Sequence, residues 1–157
     1  MAKPSIYAEM TIIQDTREQD PWRFEGFEGK ITRAKLDSGD YSVRGFHREL
    51  VIERKSLSDY LASITHGRDR FEREMLRLSC LRRACVIIEA SRADIQAELY
   101  RSRTHPNAAL STADSWWLKY EVPFFFEPTR ALAEDRALRI MRLWFKRFYK
   151  AGLDFII

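Results

Sequence analysis

The chain has 157 residues, 45% hydrophobic and 13% aromatic, enough for one buried core and too rich in apolar side chains for a disordered tail, so a single domain spanning 1–157 is expected. Two isolated cysteines, Cys80 and Cys85, exclude a disulfide framework and a zinc module. No stretch approaches the roughly 20 apolar residues of a membrane span, and residues 1–10 lack a signal-peptide core, so the expected setting is intracellular, cytoplasmic or nucleoid-associated, and nuclear in a eukaryote.

Charge is uneven along the chain. The net charge is +4, yet residues 1–29 hold three basic and six acidic side chains, while residues 130–150 hold seven basic and two acidic. An acidic cluster set against basic helices suits a protein that holds a cation and approaches a polyanion.

Short runs rich in Ile, Val and Phe predict strands at 10–14, 30–36, 40–44, 50–53, 85–89 and 122–126. Hairpin-like turns are expected at Asp37-Ser38-Gly39 and Arg44-Gly45. The early strands cluster and the later ones alternate with helical segments, which predicts an antiparallel or mixed front half followed by crossover units. Ser56 is a suitable N-cap for a helix carrying Leu57, Leu61 and Ile64, and His66-Gly67 interrupts it. A second helix is predicted over 68–81, with Phe71, Met75 and Leu78 on one side and Arg70, Arg73 and Arg77 on another. A third runs from Ser91 to about 101. The segment 102–112 reads as a loop, with Ser111 or Thr112 capping the next helix. The last predicted helix covers 130–151. Its stripe Leu138, Met141, Phe145 and Phe148, widened by Ile140 and Trp144, is either buried in its own domain or covered by a second copy.

The chemistry centres on Glu53-Arg54-Lys55, three charges at the end of the apolar run Leu50-Val51-Ile52. Side chains on a strand alternate faces, so Glu53 and Lys55 point one way and Arg54 the other. An acid and an amine on one face can serve metal-assisted phosphodiester cleavage: the carboxylate binds a hard divalent cation, and the lysine positions water or stabilises charge on the phosphorane. Asp40, following Gly39, supplies a second ligand, the Arg54 carbonyl offers another oxygen, and Asp15 and Glu18 add two further acids. Arg17 between them is a candidate phosphate contact. Each motif alone is ordinary: Gly-Asp is a turn, E-R-K a solvated strand end, and Asp59 a carboxylate favoured in a helix's first turn.

In order, these motifs resemble the XPF-type structure-specific endonucleases, whose signature is GD, a variable gap, then ERKxxxD. Here Gly39-Asp40 is followed by twelve residues and then Glu53-Arg54-Lys55-Ser56-Leu57-Ser58-Asp59, with "DTRE" upstream, and "SITHGRDRFEREMLRL" and "ACVIIEA" downstream. The likeness is strong over residues 10–90 and looser beyond. It implies an α/β restriction-endonuclease-like core, a central mixed β-sheet flanked by α-helices, and membership of the PD-(D/E)XK superfamily. It implies Asp15, Glu18, Asp40, Glu53, Arg54, Lys55 and Asp59 as catalytic residues, with Asp40, Glu53 and Asp15 on Mg2+ or Mn2+. DNA contacts are expected from Arg17, Arg68, Arg70, Arg73 and Arg77. The expected activity is hydrolysis of branched or flapped DNA by a homodimer or heterodimer formed through residues 122–151. No helix-hairpin-helix module or helicase motor is expected in these residues. A non-catalytic nucleic-acid-binding or scaffold subunit, and a nuclease for plain duplexes or ends, are the alternatives.

Overall fold

The computed structural model describes residues 5–149. A 3-10 turn at Ile6–Glu9 leads into β1 (Thr11–Gln14), followed by β2 (Lys30–Arg33), β3 (Tyr41–Val43) and β4 (Leu50–Ser56). Next come α1 (Leu57–Ile64), α2 (Arg68–Ser79), β5 (Arg83–Glu89), α3 (Arg92–Gln96), α4 (Pro106–Tyr120), β6 (Phe124–Phe126) and α5 (Arg130–Tyr149). The six strands form one sheet in the order β2-β1-β3-β4-β5-β6. The β1–β3 and β3–β4 pairs are antiparallel, while β1–β2, β4–β5 and β5–β6 are parallel.

Helices cover both faces of this sheet, which is why its central strands read as continuous apolar runs instead of alternating with polar residues. Val51, Val86 and Ile88 face one way, against Tyr60 and Leu61 of α1, Phe71, Met75 and Leu78 of α2, and Trp116 of α4. Leu50, Ile52, Cys85 and Ile87 face the other way, against Trp22, Tyr41 and the α5 residues Ala133, Ala137, Met141, Trp144 and Phe145. Ala133 and Ala137 are fully buried, and their small side chains let α5 lie close to the sheet. The wide apolar face of that helix is thus used largely within its own domain, with Leu138, Ile140 and Phe148 packed on the same cluster.

Several boundaries differ from the sequence expectation. Strand β4 does not stop at Glu53 but runs to Ser56, paired residue for residue with β5 through Ser56 opposite Glu89. β2 ends at Arg33 rather than near 36 and pairs parallel to β1, so of the two expected arrangements the front half takes the mixed one. α3 is only five residues long, closed off before Glu98, which adopts φ 55°. Helix α4 begins within the segment expected to be a loop. Pro106 takes the first helical position, where its missing N–H costs nothing, and His105 Nδ1 accepts the Asn107 N–H at 3.2 Å, so Ser111 and Thr112 lie inside the helix rather than capping it. The expected end of α5 near 151 lies outside the described residues.

Candidate active site

Gly39 and Asp40 tie three strands together. Gly39 has φ +69°, and a Cβ there would sit 2.1 Å from a Val51 side-chain carbon, so only glycine fits this close approach to β4. The Asp40 N–H then donates to the Ile52 carbonyl (2.9 Å), and its own carbonyl accepts the Asp15 N–H (2.8 Å). The backbone N–H of Arg54 donates to the Asp40 carboxylate at 2.7 Å. The Gly-Asp dipeptide is therefore a clamp that fixes one carboxylate against the end of β4.

Glu53 and Lys55 project from β4 on the α1–α2 side, as the strand alternation requires. Lys55 Nζ lies 3.4 Å from Glu53 Oε1 and 4.5 Å above the ring of Phe71, a residue of α2. Burial drives the Glu53 carboxyl well above its usual range; the negative charges of Asp40 and Glu74 add to the rise, and Lys55 opposes it. Burial likewise pushes Asp40 up to about 7, opposed by the Arg54 N–H and by Lys55, and reinforced by Glu18 and Asp15. Two desolvated carboxyls that disfavour each other's ionisation, beside one amine, form an electrostatic arrangement that a divalent cation relieves.

Arg54 turns to the opposite face. Its Nε donates to Glu89 Oε1 (2.7 Å), its Nη1 to Glu18 Oε2 (3.0 Å) and to the Asp20 carbonyl (2.5 Å), and its guanidinium lies 5.2 Å over Trp22. Trp22 Nε1 donates to the same Glu89 oxygen at 2.9 Å, and Tyr41, stacked on Trp22 at 4.7 Å, donates its hydroxyl to Glu18 at 3.1 Å. Arg130 holds the same loop from α5, donating to the Asp20 carboxylate and to the Pro21 carbonyl. Arg54 and Glu18, both expected among the catalytic groups, are thus parts of a brace that holds residues 18–22 against the sheet. Only the main-chain N–H of Arg54 reaches the acidic pair.

Asp15, expected as a third ligand, is committed to the protein instead. Its carboxylate accepts Arg17 Nε (2.6 Å), Arg17 Nη2 (3.0 Å), the Arg17 N–H (2.8 Å) and the Leu36 N–H (2.7 Å). Burial raises its pKa, but these donors outweigh it and the carboxyl ends below its usual value, ionised and satisfied. Arg17 is correspondingly tied to Asp15 and to the Leu36 carbonyl (2.9 Å) rather than free, though its side chain remains 63% exposed. Asp59 lies in the exposed first turn of α1, where its N–H closes the Ser56 cap (3.1 Å), and among the described residues its carboxylate has no hydrogen bond or ion pair. Among the described residues no three acidic, histidine or cysteine side chains converge as a complete cation-binding set.

Of the α2 arginines, Arg68 pairs with Glu72 (3.3 Å) and lies over Trp116 (5.1 Å), and Arg77 pairs with Glu74. Arg70 and Arg73 are exposed. They have no ion pair among the described residues, and they flank the turn of helix that supplies Phe71 and Glu74. Glu74 itself escaped the sequence reading: its Oε1 accepts the Gly39 N–H at 3.2 Å, and its charge bears on Glu53. Nothing local in α2 marks it. Glu89 was detectable, because an acid ending an apolar strand two residues after Ile87 shares the face that the same alternation assigns to Arg54.

Residues 14–134 match the family model described as the ERCC4 domain. XPF from Aeropyrum pernix superposes with a TM-score of 0.69 at 20% identity, covering 85% of this chain and 60% of that one. A structure of XPF from Aeropyrum pernix in complex with DNA gives a TM-score of 0.68 at 20% identity, covering 94% and 69%. The chain therefore spans under two thirds of the first of these structures. No curated protein is significantly similar to it in sequence.

Proposed function

The chain belongs to the ERCC4 domain family, and from that membership together with the Asp40, Glu53 and Lys55 grouping we propose that it is a metal-dependent DNA endonuclease acting on branched or flapped DNA. The observation that carries this reading is the pair of desolvated carboxyls, Asp40 and Glu53, both with raised pKa and both under the field of Lys55.

The donor set fits a hard cation: two carboxylates and no thiol or imidazole, the chemistry that takes Mg2+ or Mn2+ and leaves other positions for water and phosphate oxygens. Asp40 and Glu53 would hold the ion, which supplies positive charge for the scissile phosphate and a more acidic water. Lys55, its stem fixed over Phe71 and its amine beside Glu53, holds the attacking water or the phosphate oxygen and stabilises negative charge as it develops. The Arg54 N–H orients the Asp40 carboxylate toward the strand end. Asp15, Arg17 and the Arg54 brace position this group without joining it, and Arg70 and Arg73 bind backbone phosphates. Asp59, in the first turn of α1, has no contact to either carboxyl among the described residues.

DNA as the substrate is supported by the family and by the archaeal structure in complex with DNA, and its branched form rests on the likeness to the structure-specific endonucleases alone. Self-association through α5 is part of the same proposal, since Leu132 and Leu143 remain 46% and 61% exposed on that helix, as is a place inside the cell, where DNA is. Cleavage of a flap, a four-way junction and a linear duplex, each with Mg2+ and with EDTA, tests the reading. Metal-dependent cuts near the branch, lost in Lys55→Ala while DNA binding survives, are expected. Binding without cleavage in Mg2+ and Mn2+ would make the protein a non-catalytic subunit, and equal cleavage of the linear duplex would remove the branch preference.

A further inference from the structure

A groove of about 540 Å³ opens beside this site, a volume in the range of ligand-binding clefts. One wall is a single face of α1 at Leu57, Leu61 and Ala62, continued by His66 in the turn that follows, and the other is the α3–α4 connection at Tyr100 and Arg101. The floor is built into the core: Leu61 is buried, and Leu57 and Tyr100 pack on the same cluster. Tyr100 is also fixed by its hydroxyl, which donates to the Thr104 carbonyl at 2.8 Å. The rim is polar, and no acidic residue lines it. Arg101, like Arg103 two residues on, is exposed and without an ion pair among the described residues. The groove starts at Leu57 and Ser58, directly after β4, whose last residues are Lys55 and Ser56, and the Ser58 and Ser56 hydroxyls are hydrogen-bonded at 3.1 Å.

An apolar floor with an aromatic ring and an unopposed cationic rim matches an unpaired nucleotide, whose base offers a face to stack and whose phosphate offers a charge. A duplex keeps its base faces stacked inside and offers sugars, phosphates and base edges, so such a floor finds no face to stack on. We propose that the groove between α1 and residues 100–102 holds the unpaired strand of the substrate as it leaves the end of β4. This deepens the nuclease reading and rests on it for the identity of the substrate, but its binding test does not depend on cleavage.

The test compares the wild type with Ala62→Trp, which fills the groove, and with Arg101→Glu, a surface change that leaves the floor intact. Affinities for fluorescein-labelled oligo-dT and for a blunt duplex of equal length are measured in EDTA, with circular dichroism melts confirming that each variant is folded. Both variants are expected to bind oligo-dT about tenfold more weakly, the scale of one lost base-stacking or charge contact, with duplex affinity held. Unchanged oligo-dT binding in folded Arg101→Glu overturns the proposal, and so does an equal loss for oligo-dT and duplex, which would make Arg101 a general phosphate contact. If the groove variants behave as expected but the wild type cuts no DNA with Mg2+ or Mn2+, the nuclease reading fails and the groove stands. If cleavage depends on Lys55 while the groove variants bind normally, the reverse holds.

Discussion

The two faces of β4 at its C-terminal end differ in how completely their charges are paired. On the α5 side, Arg54 meets Glu18, Glu89, a backbone carbonyl and an indole ring, so every charge has its partner. On the α1–α2 side, the one amine pairs with Glu53 alone, and the desolvated Asp40 carboxyl meets a main-chain N–H but no cation among the described residues. Neighbouring residues of one strand therefore have opposite uses. The paired face stabilises the scaffold, and the face on which Asp40 lacks a cation is the one proposed to take a metal ion.

The comparison is broken most severely at Arg54. Arg54→Ala leaves the half-buried Glu18 and Glu89 without a cation, which costs about 2–3 kcal/mol for charged hydrogen bonds lost from a partly buried site, read as a lower midpoint in urea unfolding. Lys55→Ala removes the amine beside Glu53 and its contact with the Phe71 ring. It should lower cleavage about 10²–10³-fold, the scale of one lost electrostatic stabiliser, with a smaller drop in the unfolding midpoint than Arg54→Ala. If Lys55→Ala unfolds the protein, or Arg54→Ala is as stable as the wild type, the two faces have been assigned the wrong way round.

Protonation sharpens the contrast. In the absence of metal, Asp40 and Glu53 hold protons more tightly folded than unfolded, so the native state binds the excess of protons and stability falls as pH rises from about 4 through about 7. Thermal melts in EDTA across that window should show this loss, Asp40→Asn should flatten it, and Mg2+ should restore stability above pH 7. Asp15, whose pKa is lowered, contributes in the opposite sense, and its share is lost only on acidification below the usual carboxylate range. A metal-free protein that grows more stable from pH 5 to pH 8 contradicts this account of Asp40 and Glu53. The smallest effect is expected at α2: replacing Arg70 and Arg73 together by alanine should weaken DNA binding uniformly and reduce the slope of log affinity against log salt by about 2.

Much of this site was legible because it depends on strand parity. Glu53 and Lys55 on one face with Arg54 on the other follow from a period of two, whereas Gly39-Asp40 reads in sequence only as a turn, its close approach to Val51 showing in the structure. The family likeness carried the fold and ordered the motifs. What remained hidden depends on closure between distant segments. Asp15 looked like a ligand because sequence shows its charge but not the Leu36 N–H and the Arg17 fork that satisfy it. Glu74 carries no local mark because its partner is a backbone N–H thirty-five residues away. The parallel β1–β2 pair was invisible, since no short turn announces a crossover, and the start of α4 was misread because proline was taken as a loop residue when it stood at a helix's first position.

Mn2+ titration calorimetry on the wild type, Asp40→Asn, Glu53→Gln and Asp59→Asn tests the shared cation site directly. One site in the wild type, weakened at least about tenfold by either of the first two changes and untouched by Asp59→Asn, is the predicted result. Equal Mn2+ affinity in all four proteins would contradict it.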